Sequence, residues 1–513
     1  MLARVHSGAV LGIDPFPLAV EVDNHPGLNL VTIVGLPDAA VKESRDRVGS
    51  ALRNSGFRFP RGVIVINLAP ADIRKEGSAL DLPIALGLLA ASEQLSGMRF
   101  TEYAAAGELA LDGSIRRVAG ALCLATGARQ RGLRGILLPM ENAPEAGVVE
   151  GVEAIPVRNL NEAVSFMSGV SDIQPYVTDV RAIYETAGRT AQDLTDVKGQ
   201  AHVKRAMTVA AAGGHNLLMI GPPGTGKTML ASRLPGILPD MTFEETLETT
   251  RIFSVAQMTG PKQALIVQRP FRSPHHTAST ISIAGGGQGQ QPHPGEVSLA
   301  HNGVLFLDEL PEFNRSALEV LRQPLEEGIV HIRRAMYSVT YPSRFMLVAA
   351  MNPCPCGSRT DPRKQCRCSS GEVQRYVNRV SGPLLDRIDM HVDVPALSFN
   401  ELSDTRASGP TSAEVRAQVQ AARDRQRVRY KGAFACNAHL DTKAMQSSCA
   451  LTDGARSLME KAMNQMGLSA RAYDKILRIA RTLADLEALE NITERHIAEA
   501  VQYRSLDRQY FFT

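Results

Sequence analysis

The octapeptide Gly221-Pro222-Pro223-Gly224-Thr225-Gly226-Lys227-Thr228 constrains this chain more than any other feature, because it follows the apolar stretch Leu217 to Ile220 and opens into helix-compatible sequence. Strand, GxxxxGK[ST] loop and helix in that order predict a phosphate-binding loop. Its glycines permit a tight turn in which successive backbone N–H groups point at an oxyanion, and the helix that follows adds partial positive charge. All eight residues are therefore candidate ATP ligands. Lys227 would reach the outer phosphates, and Thr228 would offer its hydroxyl to Mg²⁺.

A site of this kind needs acidic groups at the end of a second buried strand, and Gly303-Val304-Leu305-Phe306-Leu307-Asp308-Glu309-Leu310 supplies them. The apolar run predicts a fully buried parallel strand. Carboxylates at its tip ask for a cation or a reacting water, because burying them uncompensated is costly. Asp308 is the predicted Mg²⁺ ligand, and Glu309 the base that orients the attacking water.

With 513 residues the chain has room for about three domains, each able to bury a core. A formal charge of +3 is too small to announce nucleic acid, so any basic footprint must be local. No signal-peptide pattern opens the chain, and no apolar run approaches the roughly 18 to 20 residues needed to span a bilayer. The expectation is a cytoplasmic protein with no membrane partner, its seven cysteines reduced unless they hold a metal.

The predicted fold class is α/β multidomain. Residues 1–168 interleave strand candidates (18–22, 28–34, 63–68 and 103–111) with helical stretches near 38–55 and 79–94, which reads as a compact α+β or α/β block. A weakly patterned linker is expected over 169–190. The nucleotide-binding block runs over 191–395, and 396–513 is helical, punctuated at 404–412.

Through the central block the order of elements resembles an AAA+ ATPase. After the acidic strand comes another apolar strand, Phe345 to Met351, ending in Asn352-Pro353, where AAA+ proteins carry the sensor 1 side chain. Leu384-Leu385-Asp386-Arg387-Ile388-Asp389 resembles the element of the magnesium-chelatase and MCM branch whose arginine completes the neighbouring subunit's site. Ser469-Ala470-Arg471 resembles the sensor 2 motif. The resemblance implies catalytic roles for Glu309, Asn352, Arg387 and Arg471, and an arginine acting in trans implies a homo-oligomeric ring, most often a hexamer.

Two inserts match the same branch. One carries Arg269-Pro270-Phe271-Arg272-Ser273-Pro274-His275-His276 and the glycines from Gly285; the other runs from Val330 to Tyr341 around a basic turn. In MCM-like helicases the inserts at these points project into a central channel, which implies DNA contacts for Arg333 and Arg334, with Arg272, His275 and His276 as further candidates. An ordinary exposed hairpin with solubilising arginines is the alternative. The stretch Arg416, Arg423, Arg425, Arg427, Arg429, Lys431 is either a second basic footprint or a solvated helix face. Cys354, Cys356, Cys366 and Cys368 form two CxC pairs, and four thiols in fifteen residues predict a structural Zn²⁺ site. Uncoordinated thiols and an iron–sulfur cluster are the other readings.

In the first block, 75–83 and 106–120 look like the two active-site stretches of the Lon protease domain, which shares its fold with ribosomal protein S5. Ala79 falls where Lon has its serine and Leu122 where it has its lysine, so no protease dyad is expected and the resemblance implies a scaffold or a DNA-facing collar. Together with the cysteine insert and the helical end, these features resemble the YifB/ComM family over essentially the full chain. That resemblance implies an ATP-dependent hexameric motor acting on single-stranded or branched DNA, migrating branches during natural transformation. A chelatase-type or protein-remodelling AAA+ ATPase that does not act on DNA is the alternative.

Overall fold

The computed structural model describes residues 1–71, 75, 77–97, 99–186, 192–260, 263–287, 292–333, 338–361, 363–398, 401, 409–432 and 436–506. The first block is built on a seven-stranded mixed sheet. Strands β1 (Leu2–Leu11) and β2 (Asp14–His25) form a long antiparallel pair, registered from Leu2 opposite Asp23 to Leu11 opposite Asp14. With β3 (Leu30–Val34), β4 (Val63–Ala69), β5 (Tyr103–Ala105), β8 (Gly135–Pro139) and β9 (Glu153–Val157) the sheet order is β3-β4-β2-β1-β5-β8-β9. Strand β4 shows the period-2 rule directly, with Ile64, Ile66 and Leu68 turned into the core.

The stretch 103–111 is not one strand. It breaks after β5 and resumes as β6 (Glu108–Leu109), paired with β7 (Ile115–Arg116). Gly107 at the break has no room for a side chain, since a Cβ there would stand 2.7 Å from Ile115. The helix Ala39–Asn54 starts where Asp38 accepts a hydrogen bond from the Val41 N–H, and the helix Asp81–Ala91 is buried on every side. Asp81 is tolerated inside because Arg47, Ser44 and the Leu109 N–H all donate to it.

The expected linker is partly structured. Residues Val180–Thr186 form a helix whose Val180 and Ile183 pack with Val148 and Leu265, and Tyr184 donates to Thr246 at 2.7 Å. Residues 187–190 lie outside the described residues. The first block is also joined to the second along the helix Phe243–Val255: Ser254 bonds Glu145, and its carbonyl accepts from the Gly120 N–H at 3.3 Å. Arg117 reaches Thr259 just beyond that helix.

Among the described residues the second sheet is all parallel, with order β11-β14-β17-β10-β18 for β10 (Leu217–Ile220), β11 (Phe271–Arg272), β14 (Val304–Leu307), β17 (Met346–Met351) and β18 (Met390–Asp393). Strands β10, β14 and β17 are buried along their whole length, which explains their continuous rather than alternating apolar sequence. The first insert folds back through a two-strand contact, β12 (Gly285–Gly286) with β13 (His293–Pro294), and the second is a hairpin of β15 (Ile329–Arg333) and β16 (Ser338–Pro342). Val330, Ile332, Val339 and Tyr341 bury one face of that hairpin. Its tip at 334–337, including Arg334, lies outside the described residues, as does Gln288-Gly289 of the glycine insert.

Helices Ser412–Tyr430, Thr442–Ser448, Asp453–Met466, Ala470–Leu486 and Glu494–Gln502 dominate the last block and share one apolar core with the helix Ala201–Gly213. The basic stretch on the first of these is largely consumed internally. Arg423 donates to the Ala211 carbonyl, Arg425 to the Asp485 carbonyl, and Arg429 pairs with the Asp485 carboxylate at 2.5 Å, so it does not form a continuous free footprint. Asp485 also takes Arg481 at 3.0 Å, an arginine only 1% exposed, and an amide N–H of Asn437 at 2.9 Å. Among the described residues no helix is long and apolar enough to cross a membrane.

Removing the anion from this cluster leaves buried guanidinium groups without a counter-charge. Asp485→Ala is therefore expected to destabilise the last block by about 3–5 kcal/mol, seen as an earlier loss of helical signal on urea titration. A midpoint equal to the parent's would show that the arginines find other partners.

Candidate functional site

The loop between β10 and the helix Lys227–Ala231 is shaped by its glycines. Gly224 and Gly226 sit in the left-handed region at φ +79° and +85°, and a Cβ on Gly221 would strike the Val394 carbonyl at 2.2 Å. Thr225 donates to the Pro222 carbonyl at 3.0 Å and tightens the turn. Lys227 lies folded over the loop, donating to the carbonyls of Gly221 at 2.7 Å and Pro222 at 2.9 Å and to Asn352 Oδ1 at 3.2 Å. Burial lowers the affinity of its amine for a proton, and the carboxylates of Asp308 and Glu309 oppose that shift.

Sheet order explains why residues 125 positions apart can touch. Strand β17 lies between β10 and β14, so the carboxyl ends of all three converge; β14 and β17 are followed at once by Asp308 and Asn352, and β10 by the glycine loop that leads to Lys227. Thr228 donates to Asp308 Oδ2 at 2.6 Å, and Asp308 Oδ1 accepts from the Glu309 N–H at 3.0 Å. A hydroxyl and a carboxylate this close are a hard-oxygen donor set of the kind Mg²⁺ takes. Glu309 stands apart. Its backbone is left-handed at φ +52°, and its Oε2 faces His276 Nδ1 at 3.3 Å.

Arg387 and Arg471 are brought together, away from this loop. Arg387 pairs with Glu326 and donates to the Pro383 carbonyl at 2.5 Å, while Arg471 bridges to Asp386 at 3.1 Å. Among the described residues neither arginine is bonded to 221–228. Their common neighbourhood lowers the Arg387 pKa, first through burial and then through the nearby charges of Arg322 and Arg471. Ser469 caps the helix that carries Arg471.

The candidates in the first insert occupy different places. Arg272 is engaged with Glu296 through two contacts of 2.7 and 2.8 Å, a bidentate pair that leaves it unavailable to a phosphate without being broken. His275 is exposed and bonded to Thr277 at 2.9 Å, whereas His276 turns inward to Glu309. Arg333 ends β15 exposed. The pairing of His276 with Glu309 is the contact that the sequence did not disclose.

The four cysteine sulfurs lie within 4.8 Å of one another, with Cys354 3.4 Å from Cys356 and 3.7 Å from Cys366, and Cys356 3.6 Å from Cys366; Cys368 completes the set. Tetrahedral Zn–S bonds of about 2.3 Å would set sulfurs about 3.8 Å apart, so the donors fit zinc. Cys354 is buried in the apolar cluster that contains Leu218, Ile220 and Met351. Burial pushes its thiol pKa up, while the Ser358 and Arg367 N–H groups draw that of Cys356 down. The cysteine loop also touches the phosphate loop: a Cβ on Gly357 would come within 2.5 Å of Pro223 Cδ.

In the first block Leu122 is buried and Ala79 has no functional group, while Ser78 donates to Glu108 and Lys75 to the Pro70 carbonyl. These positions hold no serine–lysine pair.

Three family models match successive parts of the chain: Subunit ChlI of Mg-chelatase over residues 20–142, Magnesium chelatase, subunit ChlI, over 193–402, and Magnesium chelatase, subunit ChlI C-terminal, over 409–504. The chain is 47% identical to the uncharacterized protein YifB of Escherichia coli K12, across 99% of this chain and 98% of that one. It is 46% identical to the competence protein ComM of Haemophilus influenzae, again across 99% and 98% of the two chains. The magnesium-chelatase subunit ChlI of Cyanidium caldarium is 24% identical over 36% of this chain and 52% of its own.

Lys227→Ala is expected to weaken binding of a fluorescent ATP analogue about 10- to 150-fold, the equivalent of one lost charge-assisted hydrogen bond of about 1.5–3 kcal/mol. An affinity within twofold of the parent would remove Lys227 from contact with the phosphates.

Proposed function

The chain belongs to the YifB/ComM family, and on that premise we propose that it is a cytoplasmic ATP hydrolase of the AAA+ type, assembling as a hexameric ring and moving on single-stranded or branched DNA. The observation that carries the hydrolase is the convergence of Lys227 with Asn352 and of Thr228 with Asp308 at the ends of three adjacent parallel strands. The loop N–H groups and Lys227 would hold the phosphates, and Thr228 and Asp308 would hold Mg²⁺, which when bound would supply positive charge to the phosphate oxygens. Glu309 accepts the proton of the attacking water, and Asn352 orients that water or the outer phosphate. Arg387 and Arg471, clustered apart from the loop, are suited to completing a neighbouring subunit's site across a ring interface.

The DNA part is supported by the likeness to the competence protein ComM and by Arg333 at the exposed end of a hairpin strand, followed in sequence by Arg334. The first block is read as a Lon-like, S5-related scaffold without protease chemistry. The family models named for a chelatase subunit favour one other reading, a chelatase-type or remodelling ATPase. Likeness to the chelatase relative reaches only 36% of this chain.

ATP hydrolysis measured without DNA and with single-stranded, duplex and four-way-junction DNA separates the two. The expected result is stimulation by DNA, lost together with DNA affinity on replacing Arg333 and Arg334 by alanine. If both contact phosphates, the slope of log affinity against log salt should shrink by about 1.4 on single strands and about 1.8 on duplex. Stimulation by a porphyrin or a protein, with none by DNA, would sink the motor.

The cysteine cluster is read as a closed structural zinc site, so metal analysis of protein purified without chelator should find about one zinc per chain. A zinc-free or iron-containing preparation would refute it.

A further inference from the structure

The phosphate loop is held at its base by the strands around it. The Gly221 N–H donates to the Met351 carbonyl at 3.2 Å, and Gly221 lies against Val394. Within the loop, Thr225 bonds the Pro222 carbonyl, and Lys227 bonds the carbonyls of Gly221 and Pro222. Lys227 must leave both of its bonds to reach a phosphate. A loop that keeps its shape with nucleotide bound therefore needs support from outside itself.

That support stands on the flank of Pro223. Cys354-Pro355-Cys356-Gly357 makes a tight turn, closed by the Gly357 N–H donating to the Cys354 carbonyl at 2.9 Å, with Gly357 left-handed at φ +75°. Pro355 and Cys356 are exposed, yet Gly357 is buried. The three atoms nearest to a Cβ placed on Gly357 all belong to Pro223, with Cδ at 2.5 Å and Cγ at 3.0 Å. Gly224, the next residue of the loop, would meet nothing within 4 Å.

The turn is firm enough to lean on. Cys354 is fully buried in the apolar cluster that holds Leu218 and Ile220 of β10, and Cys366 and Cys368 pack against the same cluster. Directly after Cys368, Ser369 caps the helix Ser370–Val377, whose Val373, Tyr376 and Val377 enter that cluster too. Two residues before Cys354, Asn352 accepts from Lys227 at 3.2 Å. The segment 352–357 thus grips the loop at two points.

We propose that Gly357 is a positioning residue for the phosphate loop: its bare Cα lets the cysteine turn press on Pro223 and brace the loop in the shape that receives nucleotide. The inference rests on the hydrolase reading of this site. The cysteine set then acts on nucleotide affinity through Pro223, without touching the nucleotide.

Binding of a fluorescent ATP analogue and steady-state hydrolysis by the full chain test this, with zinc content measured on the same samples. Gly357→Ala forces an L-residue into left-handed backbone and a methyl onto Pro223, and should weaken binding about 5- to 30-fold. KM for ATP should rise by the same factor with kcat within about twofold, as when binding common to ground and transition states is lost. Zinc content should equal the parent's. Pro223→Ala removes Cγ and Cδ, so in that background Gly357→Ala should cost less than about twofold. Cys366→Ser, which opens the sulfur set without altering Gly357, should also weaken binding.

If Gly357→Ala does not fold, Gly357→Asn takes its place: asparagine tolerates the left-handed backbone but still carries the Cβ, and the same loss is expected. Affinity equal to the parent's in the Gly357 variant or in Cys366→Ser overturns the brace. So does an equal loss with and without Pro223→Ala, which would make the glycine a requirement of the turn alone. A parent that binds no nucleotide would sink the hydrolase reading and the brace together.

Discussion

Parallel pairing of three buried strands is the constraint on which the rest depends. Because β17 is inserted between β10 and β14, the ends of all three open at one spot, and Lys227, Asn352, Thr228 and Asp308 touch although the sequence scatters them over 125 positions. The lower ends are fixed as firmly. Asn216, just before β10, accepts from the Leu347 N–H at 2.8 Å and donates to the Arg387 carbonyl at 2.9 Å. One amide thus sets the register of the β17 strand and the position of the arginine segment, so a shift of either is felt by the strand that carries the phosphate loop.

Two further elements lean on the same frame. The cysteine loop starts two residues after Asn352, sinks Cys354 into the apolar layer under β10 and rests Gly357 against Pro223. A metal there would stiffen a segment that borders the phosphates, although four sulfurs leave no open position for catalysis. From the other side, His215 Nε2 meets Thr482 at 2.8 Å, linking the approach to β10 with the helix Ala470–Leu486 that carries Arg471. Burial holds the pKa of this histidine down at about 4, so near neutral pH the link is an uncharged hydrogen bond and adds no buried cation to the core.

What the sequence disclosed follows from which signals are local. The phosphate loop, the acidic strand tip and the cysteine pairs each occupy a short stretch, and their chemistry is written in residue type and spacing. Strand β1 escaped notice because its inward positions are Ala3, Val5 and Ser7, small or polar residues that make no apolar alternation; Ser7 is admitted only because its hydroxyl donates to the Ala105 carbonyl at 2.8 Å. The residues around Arg272 suggest a DNA contact, and its pairing with Glu296, 24 residues on, is not legible in them. The pairing of His276 with Glu309 was invisible for the same reason: it depends on how an insert folds back over a strand end, and no periodicity encodes that. The arginines of Ser412–Tyr430 misled in the opposite direction, since a run of charge says nothing of the buried aspartate that absorbs it.

The turn between β1 and β2 gives the first block a mechanical meaning. Gly12, at φ +66°, lies so close to Val339 of β16 that a Cβ would stand 2.5 Å from it, and Leu11 and Ile13 pack into the same apolar cluster as the hairpin. The hairpin base thus rests on the bend of the longest strand pair among the described residues, and that pair runs on into a seven-stranded sheet. Displacing the hairpin at its base would therefore strain a whole sheet and not a turn alone.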